Sequence, residues 1–222
     1  MCEPMFFKAE NDVKWFFDQN PSKDLLKEYF VGRMINERVN CTEIAKNIAK
    51  INDDISPEDL FLLSKQVMDE AKHFRLVKEV VEFITGEDVD LGATMYEYRE
   101  KAKVVKKEIN EGRGLPAALL DKYESSKDEV VQAIYQFVGE GRAARNWAMM
   151  AVCAPESYIR DRYKEIAKDE RFHAKIGRNA LIKLAEDVSL RPRIEAVAKQ
   201  FIEDLYGMGC MKKHFPLSAL ED

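Results

Sequence analysis

Four glutamates and two histidines recur along the chain in an arrangement typical of a metal site. Glu37 precedes the segment Glu70-Ala71-Lys72-His73 by 33 residues, and Glu140 precedes Glu170-Arg171-Phe172-His173 by 30. Because helical residues three apart share a face, each Glu-x-x-His segment places a carboxylate beside an imidazole. Hard carboxylates combined with one imidazole per metal suit iron or manganese better than copper or a closed zinc site. Two of the only three histidines in the chain belong to this repeat.

The same residues interrupt the apolar stripes of the helices that carry them. Apolar residues at helical spacing stand on either side of each glutamate: Met34 and Cys41 around Glu37, Val67 and Phe74 around Glu70, Phe137 and Ala144 around Glu140, and Ile166 before Glu170. A stripe of this kind marks the helix face that packs into the core. Each of four helices is therefore predicted to direct one glutamate inward at mid-length.

Buried carboxylates need compensation, and this requirement favours a metal over other interpretations. A bare buried carboxylate costs several kcal/mol, and no lysine or arginine occupies these stripes to pair with one. Two divalent cations would balance four carboxylates and two neutral imidazoles. The alternatives are four exposed glutamates, or a structural helical protein that has lost its metal.

Helix start and stop signals predict four long helices and two shorter ones. The long helices are expected at Ser22 to Ile51, from the Ser56-Pro57-Glu58-Asp59 capping box to Gly86, from the Ser126-Lys127-Asp128-Glu129 capping box to about Ala151, and from Ala154-Pro155-Glu156 to about Leu184. The shorter helices are expected at Leu91 to Glu111, before a break at Gly112 to Pro116, and at Ser189 to Tyr206, before a tail rich in Met, Gly and Cys.

The lengths of the connections predict the topology. Only a few residues join the first long helix to the second and the third to the fourth, so each pair is expected to form an antiparallel hairpin. About forty residues separate the two hairpins. We therefore predict one all-α domain over residues 1–222 that resembles the ferritin-like four-helix bundle, with two hairpins joined by a long helical crossover. Its core would span about 22–186, followed by an extra C-terminal helix and tail at 189–222.

Composition narrows the functional class. The chain has 222 residues, of which 46% are hydrophobic and 34% charged, and its net charge of −5 does not favour nucleic-acid binding. The longest uncharged run, Asn146 to Pro155, is about half the length that a membrane span requires. The N-terminus lacks the features of a signal peptide, so we expect a cytoplasmic protein. The four cysteines lie far apart, which does not support a zinc knuckle or a rubredoxin-type iron site.

From about Ser22 to Leu184 the chain resembles the ferritin-like superfamily of carboxylate-bridged di-iron proteins, in its oxygenase and oxidase branch. The resemblance implies two metal ions, Fe/Fe in the first instance, with Mn/Fe or Mn/Mn as alternatives. It assigns Glu37, Glu70 and His73 mainly to one metal and Glu140, Glu170 and His173 mainly to the other, with Glu70 and Glu170 as bridges.

Three further residues are expected beside the ligands. Asp69 and Asp169 would each accept the second ring N–H of a ligand histidine, or would be solvated acids on the helix surface. Cys41 would face the site as a thiol, or would be a small buried hydrophobe.

By this resemblance the chain would be an oxidoreductase that activates O2 to hydroxylate or otherwise oxidise a small organic substrate. A separate electron-donor protein, a ferredoxin or a reductase, is expected, because the sequence has no flavin or nicotinamide fingerprint and no cysteine cluster. The alternative is a bacterioferritin-like ferroxidase that handles iron, although the crossover is long for a cage-forming ferritin. A radical-generating reductase subunit is not favoured, since Val77 stands where that family has its radical tyrosine. A monomer and a homodimer are both compatible with the oxidase interpretation.

Overall fold

The computed structural model describes residues 3–49, 55–110, 123 and 126–207. Within these ranges every regular element is a helix, which confirms the predicted all-α class. The elements are α1 (Glu3–Asp18), α2 (Lys23–Ile48), α3 (Pro57–Thr85), α4 (Leu91–Asn110), α5 (Glu129–Ile134), a π-helical turn (Tyr135–Gly139), α6 (Glu140–Cys153), α7 (Ser157–Leu184), a 3₁₀ turn (Val188–Leu190) and α8 (Arg191–Gly207). No helix in this part of the chain is both long enough and apolar enough to cross a membrane.

Local capping explains why α3 begins and ends where the sequence predicts. The Ser56 hydroxyl accepts a hydrogen bond from the Asp59 N–H at 3.0 Å, and Pro57 occupies the first helical position, where no N–H is needed. At the other end Gly86 adopts a left-handed conformation with φ of 76°, which glycine takes without steric cost. The predicted bounds of α4 and α7 are likewise confirmed to within a residue or two.

Other helix ends differ from the prediction. α5 begins at Glu129 because Asp128, rather than Ser126, is the N-cap: its carboxylate accepts hydrogen bonds from the N–H groups of Val130 and Val131. A carboxylate caps a helix N-terminus well because its negative charge also interacts favourably with the positive end of the helix dipole. α2 ends at Ile48 instead of Ile51, and α8 follows a 3₁₀ turn at the predicted Ser189 start. The predicted break at Gly112 to Pro116 and the tail after Gly207 lie outside the described residues.

The sequence analysis did not predict α1. This helix buries Val13 and Phe16 and packs on α6, where Glu10 forms an ion pair with Arg145 at 2.9 Å. Val13 and Phe16 are three residues apart, so helical spacing was present in the sequence. This pair spans only about one helical turn, and Asn20-Pro21 follows soon after it. So short a stripe does not by itself distinguish a helix from a loop.

The chain forms two compact units, and the first comprises Pro21–Arg99. Its α2 and α3 form the predicted antiparallel hairpin. The start of α2 meets the end of α3, where the Lys23 ammonium donates to the carbonyl of Thr85 at 3.4 Å. Further along α2, the Cys41 thiol donates to the carbonyl of Val67, nearer the start of α3. The two helices pack through buried apolar residues that include Phe30, Met34, Val77, Val80 and Val81.

The second unit comprises Met1–Asn20 together with Glu100–Asp222. Its α6 and α7 are antiparallel, with the buried rings of Trp147 and Tyr163 stacked at a centroid distance of 5.0 Å. α8 packs on α5, where Phe201 joins Ile134 and Val138 in one apolar cluster. A single domain over 1–222 and the ferritin-like arrangement of the four long helices stay predictions.

An unpredicted π-helical turn, Tyr135–Gly139, separates α5 from α6. A π turn holds one residue more than the α-helical turn it replaces, so it changes which side chains face the core. Val138 is fully buried, whereas Phe137, which was expected in the core stripe, is only partly buried. The turn packs against α7 at Gly177, where an added Cβ would lie 2.8 Å from the carbonyl carbon of Gln136 and closer still to the Phe137 nitrogen. Only glycine permits this approach of the two backbones.

Candidate metal centre

The first unit brings three of the predicted ligands together. Glu37 lies on α2, and Glu70 and His73 lie on the facing side of α3. The Nδ1 atom of His73 is 3.4 Å from Oε2 of Glu37 and 3.9 Å from Oε2 of Glu70. All three residues are at most 3% exposed, and each offers a ligand atom within 4.8 Å of the others. The inward direction predicted for Glu37 and Glu70 is confirmed.

The second unit repeats the arrangement with Glu140, Glu170 and His173. Glu140 is the first residue of α6, and the other two lie on α7, where both are buried. Nδ1 of His173 is 3.5 Å from Oε2 of Glu170, and the three side chains again offer ligand atoms within 4.8 Å of one another. Glu140 differs from its counterpart Glu37 because it is only partly buried.

The distances within each unit fit side chains that share a metal ion. Two donor atoms at about 2.1 Å from one ion, at tetrahedral or octahedral angles, are roughly 3.0–3.4 Å apart. The shortest ring-to-carboxylate distances, 3.4 Å in one unit and 3.5 Å in the other, are close to this range. In both units the imidazole presents Nδ1 to the carboxylate. The structure therefore contains buried clusters of acidic and histidine side chains that could hold metal ions.

Gln136, which contacts the second group of predicted ligands, was not identified from the sequence. The amide nitrogen of Gln136 donates to Oε1 of Glu140 at 3.4 Å and to the backbone carbonyl of His173 at 3.3 Å. Gln136 therefore connects a predicted ligand on α6 to the turn of α7 that carries another. The sequence held a signal for this contact, because Gln136 lies four residues before Glu140 on the same helical face.

Asp69 and Asp169 occupy different environments. Asp69 is buried, and its Oδ2 lies 2.5 Å from the Lys65 ammonium while its Oδ1 lies 3.9 Å from that of Lys72. These ion pairs exclude a solvated acid on the helix surface for Asp69. Asp169 is partly buried on α7. The prediction that each aspartate accepts a ring N–H of a ligand histidine stays a prediction.

Cys41 is partly buried and donates its thiol hydrogen to the carbonyl of Val67 at 3.6 Å. Burial raises the pKa of this thiol, and the nearby Arg38 guanidinium only partly opposes the rise. The raised pKa keeps the Cys41 thiol protonated. Because a thiolate rather than a thiol binds metals, this environment does not favour Cys41 as a metal ligand. A role for Cys41 beside the metal ligands stays a prediction.

The expected resemblance to other proteins depends on the pattern of the predicted ligands. Comparison with protein-family models, with curated proteins and with solved structures found no match. The resemblance to ferritin-like di-metal proteins therefore rests on the two Glu-x-x-His segments, their partner glutamates and the helical fold.

Proposed function

We propose that the chain is a binuclear, non-haem metal oxidoreductase that activates O2 to oxidise a small organic substrate. One observation carries the proposal: each unit brings together two buried or partly buried carboxylates and one buried imidazole, with ligand atoms within 4.8 Å of one another. Each group would bind one divalent ion, so the chain would carry two. The pairing of the two ions in one centre is taken from the ferritin-like resemblance.

Charge supports one divalent ion for each group. Two carboxylates and a neutral imidazole carry a charge of −2, which one M²⁺ ion balances. Burial of that charge without a cation would cost several kcal/mol per carboxylate. Oxygen and nitrogen donors of this kind suit iron or manganese. Two bound ferrous ions would supply the electrons with which O2 is reduced.

The chain's own residues would hold the ions, orient the donors and limit access of water. In α2 and α3, the fully buried Met34 and Val77 lie one turn from Glu37 and His73 on the same helix faces. In α7, the fully buried Ile166 lies one turn before Glu170. These apolar neighbours lower the local dielectric constant, which strengthens the attraction between a bound cation and its carboxylates.

Metal binding is tested first, with chain freed of metal by chelator and titrated with ferrous iron under nitrogen. We expect about two ions per chain for the wild-type protein. Glu70→Ala and Glu170→Ala should each lower this number, because each removes a buried donor. Glu79→Ala on α3 and Glu165→Ala on α7, which alter carboxylates at the helix surface, are the matched controls. Wild-type iron content in both ligand variants would overturn the proposal.

Oxygen uptake then separates an oxidase from an iron-handling protein. With a chemical reductant and the loaded protein, an oxidase consumes O2 beyond the amount needed to oxidise its own two ions. A ferroxidase that stores iron instead consumes O2 in proportion to added ferrous iron and retains the oxidised product. Gel filtration adds a second criterion, because a storage cage elutes as a large assembly and a monomer or dimer does not.

A further inference from the structure

The side chain of Gln136 contacts both helices that carry the second ligand group. Its amide nitrogen donates to two acceptors, the Glu140 carboxylate and the His173 carbonyl. Only the NH2 end of a glutamine side chain can serve two acceptors, so chemistry fixes the orientation of the amide. A carboxylate or an apolar side chain at this position could not make either bond.

The backbone around Gln136 is placed by an independent contact. Gln136 lies in the π turn, and this turn rests on Gly177 of α7, one helical turn after His173. The approach is too close for any side chain at position 177. Gly177 therefore sets where the π turn lies relative to His173. The π turn in turn sets the backbone positions from which the side chains of Gln136 and Glu140 project.

We propose that Gln136 is a positioning residue that fixes the Glu140 carboxylate for the metal ion it shares with His173 and Glu170. The inference rests on the proposed metal binding and extends it to a residue outside the ligand set. Glu140 is partly exposed and follows a π turn, so its carboxylate has rotamers that a fully buried one lacks. A hydrogen bond from Gln136 selects one of them before metal arrives, which lowers the conformational entropy lost on binding.

Loss of this bond should weaken one ion and leave the other unchanged. Removal of a group that orients a metal ligand typically costs 10- to 100-fold in metal affinity. We expect Gln136→Leu to weaken the ion held by Glu140 within that range. The ion held by Glu37, Glu70 and His73 should bind as in the wild-type protein, because the two acceptors of the Gln136 amide, Glu140 and His173, belong to the other ligand group.

The test is a titration of the full chain with Co²⁺, an oxygen-stable probe whose visible absorption reports its ligands. Gln132→Leu is the matched control, since Gln132 lies one turn earlier and also donates to a backbone carbonyl, that of Ser126. Gln136→Met keeps the length of the side chain but has no N–H donor and should weaken the same ion, so it provides the measurement if Gln136→Leu does not fold.

A double-mutant cycle distinguishes positioning from a general structural role. If Gln136 acts through Glu140, Gln136→Leu should have no further effect on Co²⁺ affinity in a Glu140→Ala background. An equal loss of Co²⁺ affinity with and without Glu140 would overturn the inference. So would wild-type affinity for both ions in Gln136→Leu, and this second result would leave the proposed metal binding of the wild-type protein intact. Failure of the wild-type protein to bind Co²⁺ or ferrous iron would overturn the proposed function and the inference together.

Discussion

The two units hold the same three ligand types with different supports. In Pro21–Arg99, Glu37 projects from the uninterrupted helix α2, is buried, and lies 3.4 Å from His73. In the other unit, Glu140 follows a π turn, is partly buried, and receives a hydrogen bond from Gln136. One carboxylate is placed by burial between two regular helices, and the other by a hydrogen bond and a change in helix geometry.

The residue one turn after each histidine shows the same difference. Val77 follows His73 by four residues, is fully buried, and packs as an ordinary core side chain. Gly177 follows His173 by four residues, and the space of its missing side chain is filled by the backbone of the π turn. The same sequence spacing is thus compatible with side-chain packing in one unit and close backbone contact in the other.

Among substitutions that test this difference between the units, Gly177→Ala is expected to have the largest effect on stability and on metal affinity. The added methyl group would overlap the backbone of Gln136 and Phe137, and backbone cannot move aside as a flexible side chain can. Overpacking of this kind costs about 1–3 kcal/mol in free energy of unfolding. Because the π turn must shift, the affinity of the Glu140 ion should fall as well. Urea denaturation and Co²⁺ titration measure the two effects.

Gly139→Ala, in the π turn itself, is the matched control for Gly177→Ala. A Cβ at Gly139 would have no neighbour within 4 Å among the described residues. Alanine is the better helix former, so this variant should match the wild-type protein or gain up to about 1 kcal/mol. Equal destabilisation by both substitutions would show that the close backbone approach at Gly177 is not the cause, and the specific role given to Gly177 would be wrong.

The sequence alone was sufficient to predict which acidic and histidine side chains lie together in each unit. Glu70 and His73 share a helix face by spacing, and their place within an apolar stripe implied burial, which the structure confirms. The bounds of α3 were also predictable, since Ser56, Pro57 and Gly86 each act through local backbone chemistry. Features that depend on one helix or one cap are encoded within a few residues.

The π turn could not be predicted in this way. Val130, Ile134, Phe137, Glu140 and Ala144 follow ordinary α-helical spacing, so local pattern favours an uninterrupted helix. The turn packs against the backbone at Gly177, some forty residues later, and local spacing carries no information on so distant a contact. The Gln136 bond to the His173 carbonyl has the same origin, since a backbone acceptor on another helix leaves no trace in side-chain periodicity.

Removal of one N-cap in each unit should give the next largest effect. Ser56→Ala and Asp128→Ala each delete an acceptor for N–H groups in a first helical turn, at a typical cost of about 1 kcal/mol. Asp128 also pairs with Arg193, but Arg193 is half exposed, so this ion pair should add less than about 1 kcal/mol.

Thermal or urea unfolding measures both cap variants. Because Asp128 caps the segment that leads into the π turn, only its loss should also weaken Co²⁺ binding at Glu140. Ser56→Ala serves as the control for a cap without that connection. Weaker binding at Glu140 in Ser56→Ala as well would contradict the specific role given to the Asp128 cap.

The smallest expected effect is a pH dependence located in the first unit. A hydrogen bond from the Lys78 ammonium, with a second from the Val89 N–H, lowers the pKa of Glu82 below its ordinary value of 4.5. The unfolded chain therefore binds a proton at this carboxylate before the folded chain does. The stability that Glu82 contributes is present above about pH 4.5 and is lost as the pH falls through its lower folded-state pKa.

Glu82→Gln should consequently reduce the free energy of unfolding near neutral pH, by less than the loss of a cap, and reduce it little at about pH 3. Urea denaturation at both pH values measures the difference, with Glu79→Gln on the same helix as the control. The counterpart in the second unit is Asp187, whose pKa is lowered by hydrogen bonds from the Ser189 hydroxyl and N–H. Because Asp187 is fully exposed to solvent, Asp187→Asn should change the pH profile less than Glu82→Gln does. A larger effect at Asp187 would mean that the second unit, rather than the α2–α3 hairpin, limits stability in acid.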